Sequence, residues 1–201
     1  MSIVIFAIFL LGIVKLASIG LYFVNDKAPR TRELSLTESI ATIDKMEHRG
    51  SLTYSADYMT GFKALDIPLE KEEQEFLFIL SKDYQISYPL LLSIMETESN
   101  FEETAISSTQ DYGLMQINIV NHTWLKENLG IQDILEPYSN IRSGTYILSN
   151  LFDKYPDERE VIMAYNMGEA GAKKLWDKGV FETKYSRAVL AGKMKYENLL
   201  K

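Results

Sequence analysis

The sequence predicts a mainly α-helical domain preceded by an N-terminal transmembrane helix and a stalk. Three observations predict it. The chain starts with a long apolar run, apolar residues recur at helical spacing from about residue 67 onward behind capping signals, and no strand pattern of any length appears. The resulting division is 1–24 as membrane anchor, 25–66 as juxtamembrane stalk and 67–201 as the functional domain.

Ile3 to Val24 is apolar apart from Lys15 and a few small or weakly polar residues. As a helix it spans about 33 Å at roughly 1.5 Å per residue, enough to cross a hydrocarbon core. Lys15 costs roughly 2.5–3.5 kcal/mol at mid-span, offset by the surrounding Ile, Leu and Phe residues and by snorkelling of its stem. A cleaved signal peptide is the rival, with Ser18-Ile19-Gly20 as a passable site. Against it, Leu21-Tyr22-Phe23-Val24 carries the apolar run past that point and no charged segment leads it. Lys27, Arg30 and Arg32 follow the span, and the positive-inside rule would keep that side cytoplasmic. A long folded domain can translocate despite such flanks, so the topology depends on what the domain does.

The stalk opens on the breaker Asp26-Lys27-Ala28-Pro29. Ser35-Leu36-Thr37-Glu38 has the form of a capping box, followed by Leu36, Ile40 and Ile43 on one helix face, and His48-Arg49-Gly50-Ser51 ends that element. Residues 52–66 are aromatic without a clean period and suit packing on the next domain. That domain opens at Ile67-Pro68, with acidic Glu70, Glu72 and Glu73 at a helix start and the stripe Phe76, Ile79, Leu80. A second helix starts at Tyr88-Pro89, with proline in the first turn. Asn140 to Gly144 leads into a helix bearing Tyr146, Ile147, Leu148 and Leu151. Pro156-Asp157-Glu158 starts another, which stops at Asn166 and Gly168.

Composition removes several function classes. There is no cysteine, hence no thiol nucleophile, disulfide scaffold or thiolate metal site. His48 and His122 are the only histidines and lie far apart, which leaves little for a zinc site or a Ser-His-Asp triad. No metal or cofactor is implied. The net charge of −7 sits entirely in residues 67–201, which hold 21 acids against 14 bases, so there is no nucleic-acid footprint. Lys173 to Lys201 is locally basic, which reads as a solvated helix face before a polyanion site.

The chemistry-bearing position is Glu98. It lies i+7 from Leu91 on the stripe Leu91, Ile94, Met95, at the C-terminal end of its helix, while Glu96 points to the other side. Desolvation and the negative end of the helix dipole both favour the protonated carboxyl, which suits a general acid. The plainer alternative is a local cap or an ion pair, for instance with Arg142. Downstream, Gly113-Leu114-Met115-Gln116-Ile117-Asn118 places one amide side chain in an apolar string behind a glycine, either core or a contact for a substrate amide. Tyr165 and Asn166 fit a helix end equally well.

Taken together these strings resemble the catalytic domain of the soluble lytic transglycosylases, whose fold is lysozyme-like and mainly α. The resemblance is carried by Glu98-Ser99 with Phe101, Ala105 to Ser108, Gly113 to Ile117, Asn140-Ile141 with Gly144, Ala164-Tyr165-Asn166 with Gly168, and Tyr185 ahead of Val189-Leu190. They stand in the family's order and cover roughly residues 67–192.

The resemblance implies an enzyme acting on peptidoglycan glycan strands. Glu98 would be the single catalytic glutamate. It would protonate the oxygen joining N-acetylmuramic acid to N-acetylglucosamine, then take the proton of the muramic C6 hydroxyl as that oxygen closes on C1, leaving a 1,6-anhydromuramic end. Ser107 and Gln116 would hold the sugar amide and neighbouring groups, Met115 would line the cleft floor, and Tyr165, Asn166 and Tyr185 would wall the sugar subsites. The absence of an evident second acid suits this, because two-carboxylate glycosidases need one across the bond. Asp111 is the nearest candidate for such an acid. The chain departs from the pattern at Gln110-Asp111-Tyr112, at Asn118 to Thr123, where a usual proline is missing, and at Met167. Two rivals remain: a muramidase of the same fold using water and Asp111, and a catalytically dead, membrane-tethered glycan-binding scaffold. With peptidoglycan as substrate, the expected location is the cell membrane, single-pass, with the domain outside the cytoplasm.

Overall fold

A computed structural model describes residues 59–201. The expected anchor, and the stalk up to residue 58, lie outside the described residues. None of the described helices is long and apolar enough to cross a membrane.

Among the described residues, six α-helices and a two-stranded hairpin build the domain. Helix α1 (Lys71–Asp83) and helix α2 (Tyr88–Ser99) come first. The hairpin pairs β1 (Asp111–Tyr112) with β2 (Ile117–Asn118), and a 3-10 turn (Ile119–Asn121) runs into α3 (His122–Leu129). Then follow α4 (Pro137–Lys154), α5 (Glu158–Trp176) and α6 (Lys184–Leu200). The mainly helical expectation holds. The hairpin is an addition to it, since two-residue strands are too short to leave an alternating pattern.

Helix α2 is the axis of the core. Leu90, Leu91, Leu92, Ile94 and Met95 have no exposed surface, because α1 and α6 pack against it. The α2–α6 approach is close: Ser93 Oγ donates to the Val189 carbonyl at 2.6 Å, and a Cβ on Gly192 would run into the Ser93 side chain. Around this axis α4 packs on α1 and α5, and α5 on α6.

Two helix boundaries differ from the sequence reading, while residues 59–66 pack on the domain as their aromatic content suggests. Phe62 packs its ring against Phe78 and Tyr88, and the Gln74 amide bonds both the N–H and the carbonyl of Leu65. Helix α4 begins at Pro137, so Asn140 to Gly144 lie inside it rather than ahead of it. Proline at a first-turn position and the Glu136 carboxylate, which accepts the N–H groups of Tyr138 and Ser139, make the true start. Helix α5 breaks at Gly168 as expected, with φ 71° and ψ 155°, but resumes and runs to Trp176.

Candidate active site

Glu98 emerges from the core at the last turn of α2. The chain reverses immediately behind it, where Asn100 and Phe101 both take positive φ (52° and 65°) and Asn100 N–H caps the Glu96 carbonyl. Asparagine tolerates the left-handed region, and Phe101 is held there with its ring buried. The reversal leaves Glu98 part-buried at the end of an apolar helix. Its carboxylate accepts a 2.5 Å hydrogen bond from Tyr185 Oη on α6. Glu96 is directed elsewhere and pairs with Lys195 at 2.6 Å.

The electrostatics of Glu98 follow from these surroundings. Burial pushes its carboxyl up, the Tyr185 hydroxyl pulls it down, and the charge of Asp111 pushes it up again, for a pKa of about 7. A group so poised can give a proton near neutral pH and accept one back. The neighbouring phenols stay protonated: burial, followed by the charge of Glu98, raises Tyr165 and Tyr185 well above the ordinary phenol range.

The hairpin is latched to α2 and α5 beside this carboxyl. Ser99 Oγ donates to the Leu114 carbonyl (2.8 Å), and Tyr165 Oη donates to the Met115 carbonyl (2.8 Å). From below, Asn140 on α4 binds the turn: its Oδ1 accepts the Met115 N–H, and its Nδ2 donates to the carbonyls of Tyr112 and Ile134, all at 2.8 Å. Gly113 sits at φ 73° directly against this amide, so a Cβ there would overlap the Asn140 side chain.

The sequence-derived site residues distribute as follows. Glu98, Tyr165 and Tyr185 form one electrostatically linked group. The Gln116 amide donates to the Gly113 and Ala105 carbonyls, bracing the turn with its N–H groups. Ser107 donates to Asp111 at 2.6 Å. Asn166 is exposed on α5. Met115 is a correction: its side chain has no exposed surface and packs where Gly144 leaves room, so it supports the floor from beneath, and its backbone carbonyl is what meets Tyr165. A separate hollow of about 410 Å³, lined by Tyr112, His122, Lys126, Ile131, Asp133 and Leu135 among others, contains none of these residues.

The family described as Transglycosylase SLT domain matches residues 76–188, more than half of the chain. The chain belongs to that family. Two solved structures share the fold of this SLT domain. One is an inactive mutant of the lytic transglycosylase Slt from Pseudomonas aeruginosa (21% identity, TM-score 0.55, covering 62% of this chain). The other is the 70 kDa soluble lytic transglycosylase of Escherichia coli (20% identity, TM-score 0.56, 63% of this chain). The match takes in 24% of each of those longer chains.

Sequence reading missed two working parts of the SLT domain. In the sequence Asn140 is a motif residue without an evident role. Its signal is a polar residue on the buried face of an amphipathic helix. Ser99 stands beside Glu98 in the sequence with nothing to mark it as the latch to the hairpin. The hairpin partners, Met115 and Tyr112 for Asn140 and Leu114 for Ser99, lie in another part of the chain, where no periodicity points.

Proposed function

We propose that this SLT domain is a peptidoglycan lytic transglycosylase that cuts the β-1,4 bond between N-acetylmuramic acid and N-acetylglucosamine. The observation carrying the proposal is Glu98: a part-buried carboxyl with a pKa of about 7, oriented by Tyr185, at the end of the central helix of an SLT domain. As acid it delivers its proton to the glycosidic oxygen. As carboxylate it then accepts the proton of the muramic C6 hydroxyl, whose oxygen closes on C1. Ser107, Gln116, Asn166 and Tyr185 border the sugar subsites in this reading. The apolar run Ile3 to Val24 supports a single-span membrane anchor, with the domain on the side where peptidoglycan lies.

Mass analysis of a digest of purified peptidoglycan tests the chemistry. Muropeptides lighter by one water than hydrolysis products are expected. Reducing muramic ends alone would replace the transglycosylase with a muramidase, and no cleavage at all would favour a binding scaffold. Topology is tested separately by adding protease to intact wall-stripped cells. The domain should be degraded, and its protection until lysis would overturn the extracytoplasmic placement.

A further inference from the structure

The reaction just proposed uses one carboxyl, yet a second is built into the same neighbourhood with unusual care. Asp111 stands on β1, two residues ahead of Gly113. Its carboxylate accepts hydrogen bonds from Ser107 Oγ (2.6 Å), Asn118 Nδ2 (2.7 Å) and Thr109 Oγ1. Ser107 Oγ is itself fixed by the N–H groups of Thr109 and Asp111, each at 3.1 Å. All three side-chain donors are neutral, so they orient the negative charge without cancelling it.

The hairpin carrying this anion is tied to the elements that carry the acid, through Ser99 to Leu114 and Tyr165 to Met115. The charge of Asp111 bears on Glu98 and on Tyr165, and that of Glu98 bears on Tyr165 and Tyr185. Burial pushes the Asp111 carboxyl up, but its three hydrogen bonds outweigh burial and hold it below the usual range. One carboxyl is thus kept as an acid and its neighbour as an anion, a division that assigns different roles to two like groups.

We propose that Asp111 is a second catalytic group, an anion set toward muramic C1 that stabilises the positive charge building there as Glu98 breaks the glycosidic bond. The proposal rests on the transglycosylase reading for the reaction it assists. The Glu98 proton passes to the glycosidic oxygen, which leaves with the bonding pair. The electron-poor C1 is stabilised by Asp111 until the C6 hydroxyl oxygen bonds to it and yields its proton to the Glu98 carboxylate. Asp111 forms no bond and exchanges no proton. Fixed charge aimed at developing charge is among the larger contributions an active site can make.

Asp111→Asn in the full-length protein tests this. The amide oxygen can still accept from Asn118 Nδ2 and the amide N–H can donate to the Thr109 hydroxyl, so most of the hydrogen-bonded frame is kept while the charge is removed. Glu98 faces Tyr185 from α6, Tyr165 from α5 and Asp111 from the hairpin, and of these only Asp111 is charged near neutral pH. Expected is a kcat lower by about 10²-fold, the scale of losing one preorganised charge-stabilising group, with KM held within about twofold. The alkaline limb of the rate should also move to lower pH, because the charge that raises Glu98 is gone. A kcat near wild type, or a lower kcat with an unmoved alkaline limb and a fallen melting temperature, would reduce Asp111 to a hairpin brace. Should the variant fail to fold, Ser107→Ala gives a second reading. It removes one bond to the Asp111 carboxylate, so the acid limb should move to higher pH, and an unmoved limb overturns the proposal. Wild-type product masses decide the transglycosylase reading independently: reducing ends would sink that reading while leaving the kcat and pH responses of Asp111→Asn interpretable.

Discussion

Glu73 on α1 and Glu98 on α2 are both glutamates that burial drives to a pKa of about 7. Their surroundings differ. Glu73 accepts the Glu70 N–H at 3.2 Å, which lowers its pKa, while the charges of Glu103, Glu70 and Glu136 raise it further. It closes the start of a helix and is almost fully buried. Glu98 ends a helix, accepts a phenol from α6 and stands beside the hairpin of the SLT motif. The same perturbed acidity therefore serves helix capping in one place and fits proton transfer in the other. A raised pKa identifies a group held out of water, and only the geometry around it says whether a substrate can use the proton.

The sharpest way to break the comparison is the pair of glutamine variants. Glu98→Gln removes the transferable proton while keeping size and shape, and should lower activity by roughly 10²–10⁴ or more. Glu73→Gln should leave the rate of glycan release within about twofold. Equal losses in turbidity assays of both purified, folded variants would mean that Glu98 has no special role.

A smaller effect sharpens the role of the phenol. Tyr185→Phe removes the hydroxyl that lowers the Glu98 pKa, so the alkaline limb of kcat/KM should move to higher pH. Loss of orientation should cost about 10-fold in rate, equivalent to about 1.4 kcal/mol. An unmoved limb, measured on peptidoglycan between pH 5 and 9, would make Tyr185 a wall of the sugar subsite and nothing more.

The smallest effect concerns stability. Both folded-state values lie above the ordinary glutamate value of 4.5, so between pH 4.5 and about 7 the folded chain keeps protons that the unfolded chain has lost. Stability contributed in this way is full below about pH 4.5 and is lost as pH rises through about 7. Either glutamine variant should thus gain about 1–2 kcal/mol over wild type at pH 8, after allowance for solvent screening, and nothing at pH 4. Urea midpoints at the two pH values measure it. A gain present at pH 4 would trace to packing rather than to ionisation.

Several of these features are legible in the sequence. Leu91, Ile94, Met95 and Glu98 fall on one stripe because the helix repeat is fixed by local hydrogen bonding, so the acid could be placed at the core boundary from spacing alone. Proline at the start of α2 and the break at Gly168 were equally local. The Tyr185–Glu98 bond was not legible, since it joins positions 87 residues apart. Gln116 and Met115 show the other limit. Their residue types suit a cleft, but the turn uses the Gln116 amide to brace itself and buries the Met115 side chain against Gly144.

The sequence by itself determined the helical class, the starts of α1, α2 and α5, the family and the identity of Glu98 as the acid to test. Those follow from caps, periodicity and motif order, which act over one or two turns of chain. Tertiary structure alone decided which phenol meets Glu98, that Asn140 holds the glycine turn from beneath, and that Asp111 is an oriented anion rather than a stray surface acid. Each of those depends on packing between distant segments. Burial and hydrogen-bond partners are properties of the space between elements, and no local pattern in the chain records them.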